Sequence, residues 1–422
     1  MSRVSSLFEF IRSAPTAYQT VLGVKSRLLS AGYTELSEGE GWNLSDGGKY
    51  FTTRNGSSLI AFRYRADAAG FAITASHSDQ PSFRVKRSAE TGGEYVQIGV
   101  EKYGGMIYYT WFDRPLSVAG RLLCRTEKGL TVKYVNLDRD LAVIPSVAIH
   151  MNRAVNDGYK FNPAVDLLPL CSLTKGSLMA QVAAAAGVTE EEIVSHDLFL
   201  YNRDEGRTFG TNGEFILCPR LDDLGCVYAC LCGFLDARGA ASSLPVLAVF
   251  DNEEVGSETR QGAASTFLAD TLRRIAGGRY DAMLSQSFSV SADNAHAKHP
   301  NHPELADRDN APLLGGGLVI KFNASQRYAT DGVSDAVFRT VCARAGVPVQ
   351  TYYNRADMPG GSTLGSISDT KVSVPTVDIG LPQLAMHSAN ETAATADVEG
   401  MISALAEFYS TSFSMRGEEI LF

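Results

Sequence analysis

From residue 213 onward the chain alternates short apolar runs with amphipathic stretches, and this alternation constrains its fold more than any other feature. PVLAVF (245–250), DAMLS (281–285), LVIKF (318–322) and VPTVDIG (374–380) read as strands, and 223–237, 261–276, 332–345 and 392–410 read as helices. Strands separated by helices need crossover connections, which give a largely parallel sheet covered on both faces. Two further strand-like runs, SLIAFRY (58–64) and FAITAS (71–76), follow a helical stretch over 5–30 that breaks near Pro15 and stops at Gly32. Between about 84 and 212 the texture changes. EYVQIGV, MIYYTWF, SVAGRLLC and LTVKYVN are short alternating segments between Gly-, Asp- and Lys-rich turns, the pattern of antiparallel β structure. A helix, SLMAQVAAAAG, interrupts it, and the acidic TEEEI run reads as the first turn of another. The expected architecture is α/β. Residues 1–83 and 213–422 form one discontinuous domain around a mixed, largely parallel sheet flanked by helices, and 84–212 form an inserted β-rich domain.

Composition removes several function classes. The 422 residues carry 38 Lys and Arg against 47 Asp and Glu, a formal charge of −9. A surface of that sign repels phosphate backbones and anionic membranes, so neither nucleic acid nor a membrane is expected as a partner. No run approaches the ~18 consecutive apolar residues of a membrane span, and the N-terminal segment has no signal-peptide pattern. Seven cysteines show no disulfide-framework or paired zinc-motif spacing, which fits a reducing cytoplasm.

In open α/β sheets, ligands bind beyond the carboxyl ends of the strands, and metal-ligating residue types gather there in this sequence. FAITAS runs into His77-Ser78-Asp79, and LAVF runs into Asp251-Asn252-Glu253-Glu254. SADNAHAKHPN carries Asp293, VDIG leads towards His387, and Asp222 and Asp223 stand just before a helix. Each has a plainer reading on its own. His77 and Asp79 suit a hydrogen-bonded loop pair, Asp222 or Asp223 a helix cap, Glu253 and Glu254 a solvated turn, and His387 a surface histidine. Those readings weaken together, because five such residues would have to reach successive strand ends by accident. Five of the seven histidines, 77, 296, 299, 302 and 387, also lie in or beside these segments. Imidazoles mixed with carboxylates suit zinc, or manganese or cobalt. Five ligands with one carboxylate shared fit two ions about 3.5–4 Å apart, and a further carboxylate is needed to move a proton from water to a leaving amine. Metal-assisted amide hydrolysis is the expected chemistry.

The segments ASHSDQPSFRVK, GGMIYYTWFDRPLSVAGRL, IPSVAIHMNR, RLDDLG, FDNEEVGS, SADNAHAKHPN, KFNASQRYATD, MPGGSTLGS and PQLAMHSANE, in this order, resemble the aspartyl aminopeptidase family of dinuclear zinc exopeptidases. The resemblance implies a zinc-exopeptidase-like fold in which His77, Asp222 and Asp293 hold one zinc. Asp222, Glu254 and His387 would hold the other, with Asp222 bridging. Glu253 would be the general base and Asp79 the carboxylate that orients His77. His150, in the insertion, would reach the active site of a neighbouring subunit or itself ligate metal. Lys321 would meet an acidic substrate side chain, with a solvated strand-end lysine as the plain alternative and Arg327 and Arg355 as further basic candidates. His299 matches a segment beside the site. Gly361, where many relatives carry cysteine or another small residue, lies in a stretch that lets backbone approach substrate. A second departure is Gln19, where the family usually carries histidine. The family further implies that the insertion serves as dimerisation element and lid, in dimers that build a tetrahedral dodecamer admitting short peptides.

The expectation is thus a cytoplasmic metalloaminopeptidase that removes N-terminal Asp or Glu from peptides. Rivals on the same fold are a neutral-residue aminopeptidase and a deacylase. A non-catalytic scaffold predicts a broken ligand set, whereas this chain keeps every expected ligand and the base.

Overall fold

The run GFAITASH is apolar or small at almost every position, and it forms a fully buried strand, Gly70–His77, in the middle of a nine-stranded sheet. This is seen in a computed structural model that describes residues 2–176, 178–240 and 242–422. The order across the sheet is Thr34–Glu35, Lys49–Arg54, Ser58–Arg63, Ser243–Phe250, Gly70–His77, Phe288–Ala292, Thr376–Gly380, Leu318–Phe322 and Val349–Tyr353. The four strands from Ser243–Phe250 to Thr376–Gly380 are mutually parallel, while three other pairings are antiparallel, so the sheet is mixed. Parallel central strands put four carboxyl ends on one edge, and that edge positions the site.

Alternation along these strands feeds two cores. Phe71, Ile73 and Ala75, with Val246, Ala248 and Phe250, pack towards the helix Phe267–Ala276. Ala72, Leu247 and Val249 face the opposite layer, where the helices Leu221–Asp236 and Thr395–Ser410 pack together beside the N-terminal helices Arg3–Ser13 and Ala17–Ser30. Burial on both faces is what the unbroken apolar runs require. Among the described residues, no helix is long and apolar enough to cross a membrane.

Residues between 82 and 202 build a separate six-stranded antiparallel sheet with its own core, which includes Phe83, Trp111, Val118, Leu122 and Leu198. The helix Leu178–Ala186 joins that core through Leu178 and Val182. A further sheet has five strands. It joins Arg207–Phe209, Phe215–Cys218, Glu391–Ala394, Pro382–Leu384 and Ala295–His296.

Several elements differ from the expectation. DAMLS lies in a short helix, Tyr280–Leu284, and the strand is Phe288–Ala292, ending directly before Asp293. Ala, Met and Leu favour a helical turn, while Phe288 and Val290 enter the core with serines between them. MIYYTWF forms a 3-10 turn, Tyr108–Trp111, in which only Trp111 is buried. The TEEEI run makes one 3-10 turn, closed by a capping box between Thr189 and Glu192, and the chain then enters the strand Ile193–Asn202. Residues 391–394 are strand rather than helix, and the helix begins at Thr395.

Candidate active site

His77 is the last residue of its strand and pairs with Phe250 of the neighbouring one, so the central sheet sets its backbone position. Its ring is buried, with Nε2 3.5 Å from Asp222 Oδ1, 3.9 Å from Asp293 Oδ1 and 4.0 Å from Asp223 Oδ2. Nδ1 lies 3.1 Å from the Asp79 carbonyl oxygen and 3.4 Å from Asp79 Oδ1. Donation of the Nδ1 proton to Asp79 leaves Nε2 free as a ligand atom. The His77 backbone N–H donates to Asp223 Oδ2 at 3.0 Å.

Asp222 and Asp223 do not cap the helix that follows. No side-chain cap hydrogen bond is made at the helix start, and both side chains turn into the cluster across a cis peptide bond. Asp222 stands between the two histidines: Oδ1 faces His77, and Oδ2 lies 3.1 Å from His387 Nε2. His387 Nε2 is also 3.5 Å from Glu254 Oε1, and its Nδ1 meets the carbonyl oxygen of Gly105 at 2.5 Å. The same division holds as at His77, with Nδ1 oriented by a carbonyl and Nε2 turned to carboxylates.

Asp79 organises the turn that carries Glu253 and Glu254. Its Oδ1 accepts from the Glu253 N–H and its Oδ2 from the Glu254 N–H, each at 3.1 Å, and the Tyr103 hydroxyl donates to Oδ2 at 2.7 Å. Asn252, in left-handed backbone at φ 63°, donates its side-chain amide to the Tyr103 oxygen. Tyr103 ends a strand of the six-stranded sheet, so that sheet reaches the catalytic turn directly. At Gly104, φ is +76°, and a Cβ would come within 3.1 Å of Glu254 Cβ and 3.2 Å of Oε2. Only glycine allows this approach.

The charges are unbalanced. Burial pushes the Glu253 carboxyl up to about 8, with Asp293, Asp79 and Asp222 adding repulsion against the opposing pull of His77. Glu254 and Asp223 are raised by burial too, and Glu391 to about 8 by burial and then Asp222. Burial also acts on Asp222, but hydrogen bonds from His387 and His77 outweigh it and hold that carboxyl far below its ordinary range. Burial opposes protonation of His387, yet Asp222, Glu254 and Glu391 raise it to about 10. Buried carboxylates in such number need cations. Asp222 Oδ1, Asp223 Oδ1 and Glu254 Oε1 are buried without a hydrogen-bond partner, which suits atoms that bind a metal ion. His77, Asp222, Asp223 and Asp293 each offer a ligand atom within 4.8 Å of one another, and so do Asp222, Glu254 and His387. The His and carboxylate set fits zinc or another first-row ion.

The site therefore brings together His77, Asp79, Asp222, Glu253, Glu254, Asp293 and His387. Lys321 lies beside it and is not solvated: it is 2% exposed, donating from Nζ to the carbonyl oxygens of Asp293 at 2.8 Å and Asn294 at 3.3 Å. Nζ is 3.6 Å from Asp293 Oδ2 and 5.2 Å from the centre of the Tyr328 ring. His299 and Gly361 are exposed and line a neighbouring cavity of about 240 Å³ with Arg355. A Cβ at Gly361 would meet nothing, whereas one at Gly360 would strike Asn354 Oδ1 at 2.5 Å. His150 is not in the cluster but on an exposed turn of the six-stranded sheet region. Gln19 is buried and donates to the carbonyl oxygens of Gly120 and Val135, tying the second helix to that sheet.

Sequence reasoning named Asp223 beside Asp222 without giving it a role, and it missed Tyr103 and Glu391. Asp223 is signalled by its place beside Asp222, and Glu391 by an acidic residue closing the HSANE segment. Nothing local marks Tyr103, whose partners are distant in sequence.

The aminopeptidase I zinc metalloprotease (M18) family model matches residues 10–409. A probable M18 family aminopeptidase 2 of Clostridium acetobutylicum is 44% identical over 423 residues, spanning 96% of this chain and 98% of its own length. One from Pseudomonas aeruginosa is 39% identical over 420 residues, spanning 96% and 97%. Among solved structures, the chain is similar to one in the cryo-EM structure of the Ape4 and Nbr1 complex, with a TM-score of 0.93 and 34% identity over 96% of this chain and 85% of that one. It is also similar to the S. cerevisiae mApe1 dodecamer, with a TM-score of 0.84 and 26% identity over 96% of each chain.

Proposed function

The chain belongs to the aminopeptidase I zinc metalloprotease (M18) family, and from that premise we propose that it removes the N-terminal residue of peptides at a dinuclear zinc site, with Glu253 as general base. It is a metalloaminopeptidase, a peptide hydrolase. The observation that carries the dinuclear reading is Asp222, whose two oxygens face His77 and His387 separately. His77, Asp222 and Asp293 hold one ion, and Asp222, Glu254 and His387 hold the other. When bound, zinc polarises the scissile carbonyl and lowers the pKa of water. Glu253 takes the proton from the attacking water and passes it to the leaving amine, a role suited to a half-buried carboxyl raised into the neutral range. Asp79 holds Glu253 and Glu254 in register through their backbone N–H groups and orients His77.

The working division is a discontinuous catalytic domain, 1–83 and 213–422, with 84–212 inserted as dimerisation element and lid. Its support is the separate sheet and core of residues 82–202. The chain assembles as a homo-oligomer, a dimer that builds a tetrahedral dodecamer, as the related mApe1 dodecamer suggests. Val147, Ile149 and Met151 expose apolar side chains on either side of His150 in the chain, which suits a loop that packs on a partner and carries His150 to the partner's site. Seven free cysteines accord with a cytoplasmic location.

Selection of Asp or Glu rests on Lys321, a buried cation at the Asp293 edge of the site. A neutral-residue preference is the second reading, favoured by the commitment of Lys321 to the carbonyl oxygens of Asp293 and Asn294. Hydrolysis rates on Asp-, Glu-, Leu- and Lys-anilides, each with a free and an acetylated amine, test both points. Cleavage confined to free amines establishes an aminopeptidase, and cleavage of acetylated substrates at equal rates contradicts it. Faster turnover of Asp and Glu supports the acidic preference, and equal or faster turnover of Leu removes it.

A further inference from the structure

Glu391 is 2% exposed and sits at the start of the strand Glu391–Ala394, paired through Cys218 with the strand Phe215–Cys218 that leads to Asp222. Its Oε1 accepts the backbone N–H of His387 at 2.7 Å, and its Oε2 accepts the backbone N–H of Asp222 at 2.9 Å. None of the ion pairs among the described residues includes it. A buried carboxylate with no cation of its own is costly, so its retention calls for a task that a neutral side chain cannot perform. That task is visible in the geometry. Two backbone donors, from segments far apart in the chain, converge on one side chain. A carboxylate accepts at both oxygens, whereas a glutamine in the same place would turn its NH2 group towards one of the N–H groups.

The two residues held in this way are those whose side chains face each other across the site, with His387 Nε2 3.1 Å from Asp222 Oδ2. His387 also needs holding. Its φ is +66° and that of Ala385 is +57°, so the loop keeps left-handed backbone at two residues with side chains. The Gly105 carbonyl oxygen fixes the ring and the Ile107 N–H holds the His387 carbonyl oxygen, which leaves the backbone N–H to Glu391.

We propose that Glu391 is a positioning residue that clamps the backbones of Asp222 and His387 and so sets the affinity of the ion held by Asp222, Glu254 and His387. It does not ligate metal itself. The inference rests on the dinuclear reading given above.

The test is competition of zinc against a chromophoric chelator, on the full-length assembled protein, for wild type and Glu391→Gln. Elemental analysis after dialysis and melting temperatures of both metal-free proteins accompany it. Glu391→Gln is expected to weaken one of the two ions by about 10–100-fold and leave the other unchanged. Its metal-free melting temperature should match wild type, and kcat should recover with excess zinc while KM stays constant. Glu391→Asp keeps two acceptors but withdraws them by a methylene, and its affinity should fall between the two; this variant carries the test if Glu391→Gln does not fold. Unchanged affinity in either folded variant overturns the clamp. Equal weakening of both ions, with a lowered metal-free melting temperature, also overturns it in favour of a structural role. If wild type binds a single ion, the dinuclear reading and the clamp fall together; if wild type binds two and the folded variants match it, only the clamp falls.

Discussion

His77 ends a central strand, with its side chain 1% exposed, whereas His387 lies in the loop between the strands Pro382–Leu384 and Glu391–Ala394, with left-handed backbone and a side chain 31% exposed. The first is held by its place in the central sheet beside Phe250, with its backbone N–H on Asp223 Oδ2. The second is fixed within its own hairpin by Glu391 at the backbone N–H, and from a distant segment by Gly105 at the ring and by Ile107, whose N–H donates to the His387 carbonyl oxygen. Gly105 and Ile107 follow the Tyr103 strand of the six-stranded sheet, so the loop side of the site hangs on that sheet at both ring and backbone, whereas the strand side meets it through the Tyr103 hydroxyl on Asp79. A site built this way has one half anchored mainly in the central sheet and one half only as rigid as the contact between two sheets.

The predictions probe that asymmetry. Glu253→Gln removes the proton carrier without touching either half, so kcat should fall by at least about 10²-fold with metal content unchanged; normal turnover in this variant would remove Glu253 as the base. Asp79→Asn puts an amide where one oxygen accepts a backbone N–H, disturbing the Glu253–Glu254 turn and His77 together. A loss of about 10–100-fold in kcat or metal affinity is expected from steady-state kinetics and chelator competition. Tyr103→Phe deletes one donor to Asp79 from the six-stranded sheet. Thermal denaturation should register about 1 kcal/mol of destabilisation, with a smaller effect on kcat than in Asp79→Asn. Partial chelation of wild type should remove the ion on the His387 side first, and simultaneous loss of both ions in a time course would contradict the asymmetry.

The strand side was legible in the sequence, because its ligands follow directly on apolar runs. His77 closes FAITAS-H, and Glu253 and Glu254 follow LAVF within a few residues. The shift of the strand from 281–285 to Phe288–Ala292 brings Asp293 under the same rule. The loop side was legible only in its residue types. His387 is visible as a histidine near a strand end, but its restraints come from residues 103–107 and 391, which periodicity does not connect to it. Glu391 was hidden for a related reason: the stretch reads as the start of a helix, while pairing with Phe215–Cys218 makes it strand and turns the carboxylate towards Asp222. Lys321 shows the converse. A lysine near a strand end reads as solvated or substrate-facing, and the fold buries it against the backbone of Asp293.

The central claim is that catalysis needs two zinc ions per chain, bridged by Asp222. Metal-free protein titrated with zinc, with bound metal per chain and anilide hydrolysis measured at each step, tests it most directly. The account predicts saturation at two ions per chain, with activity rising as the second site fills. Saturation at one ion, or full activity in metal-free protein, would contradict it.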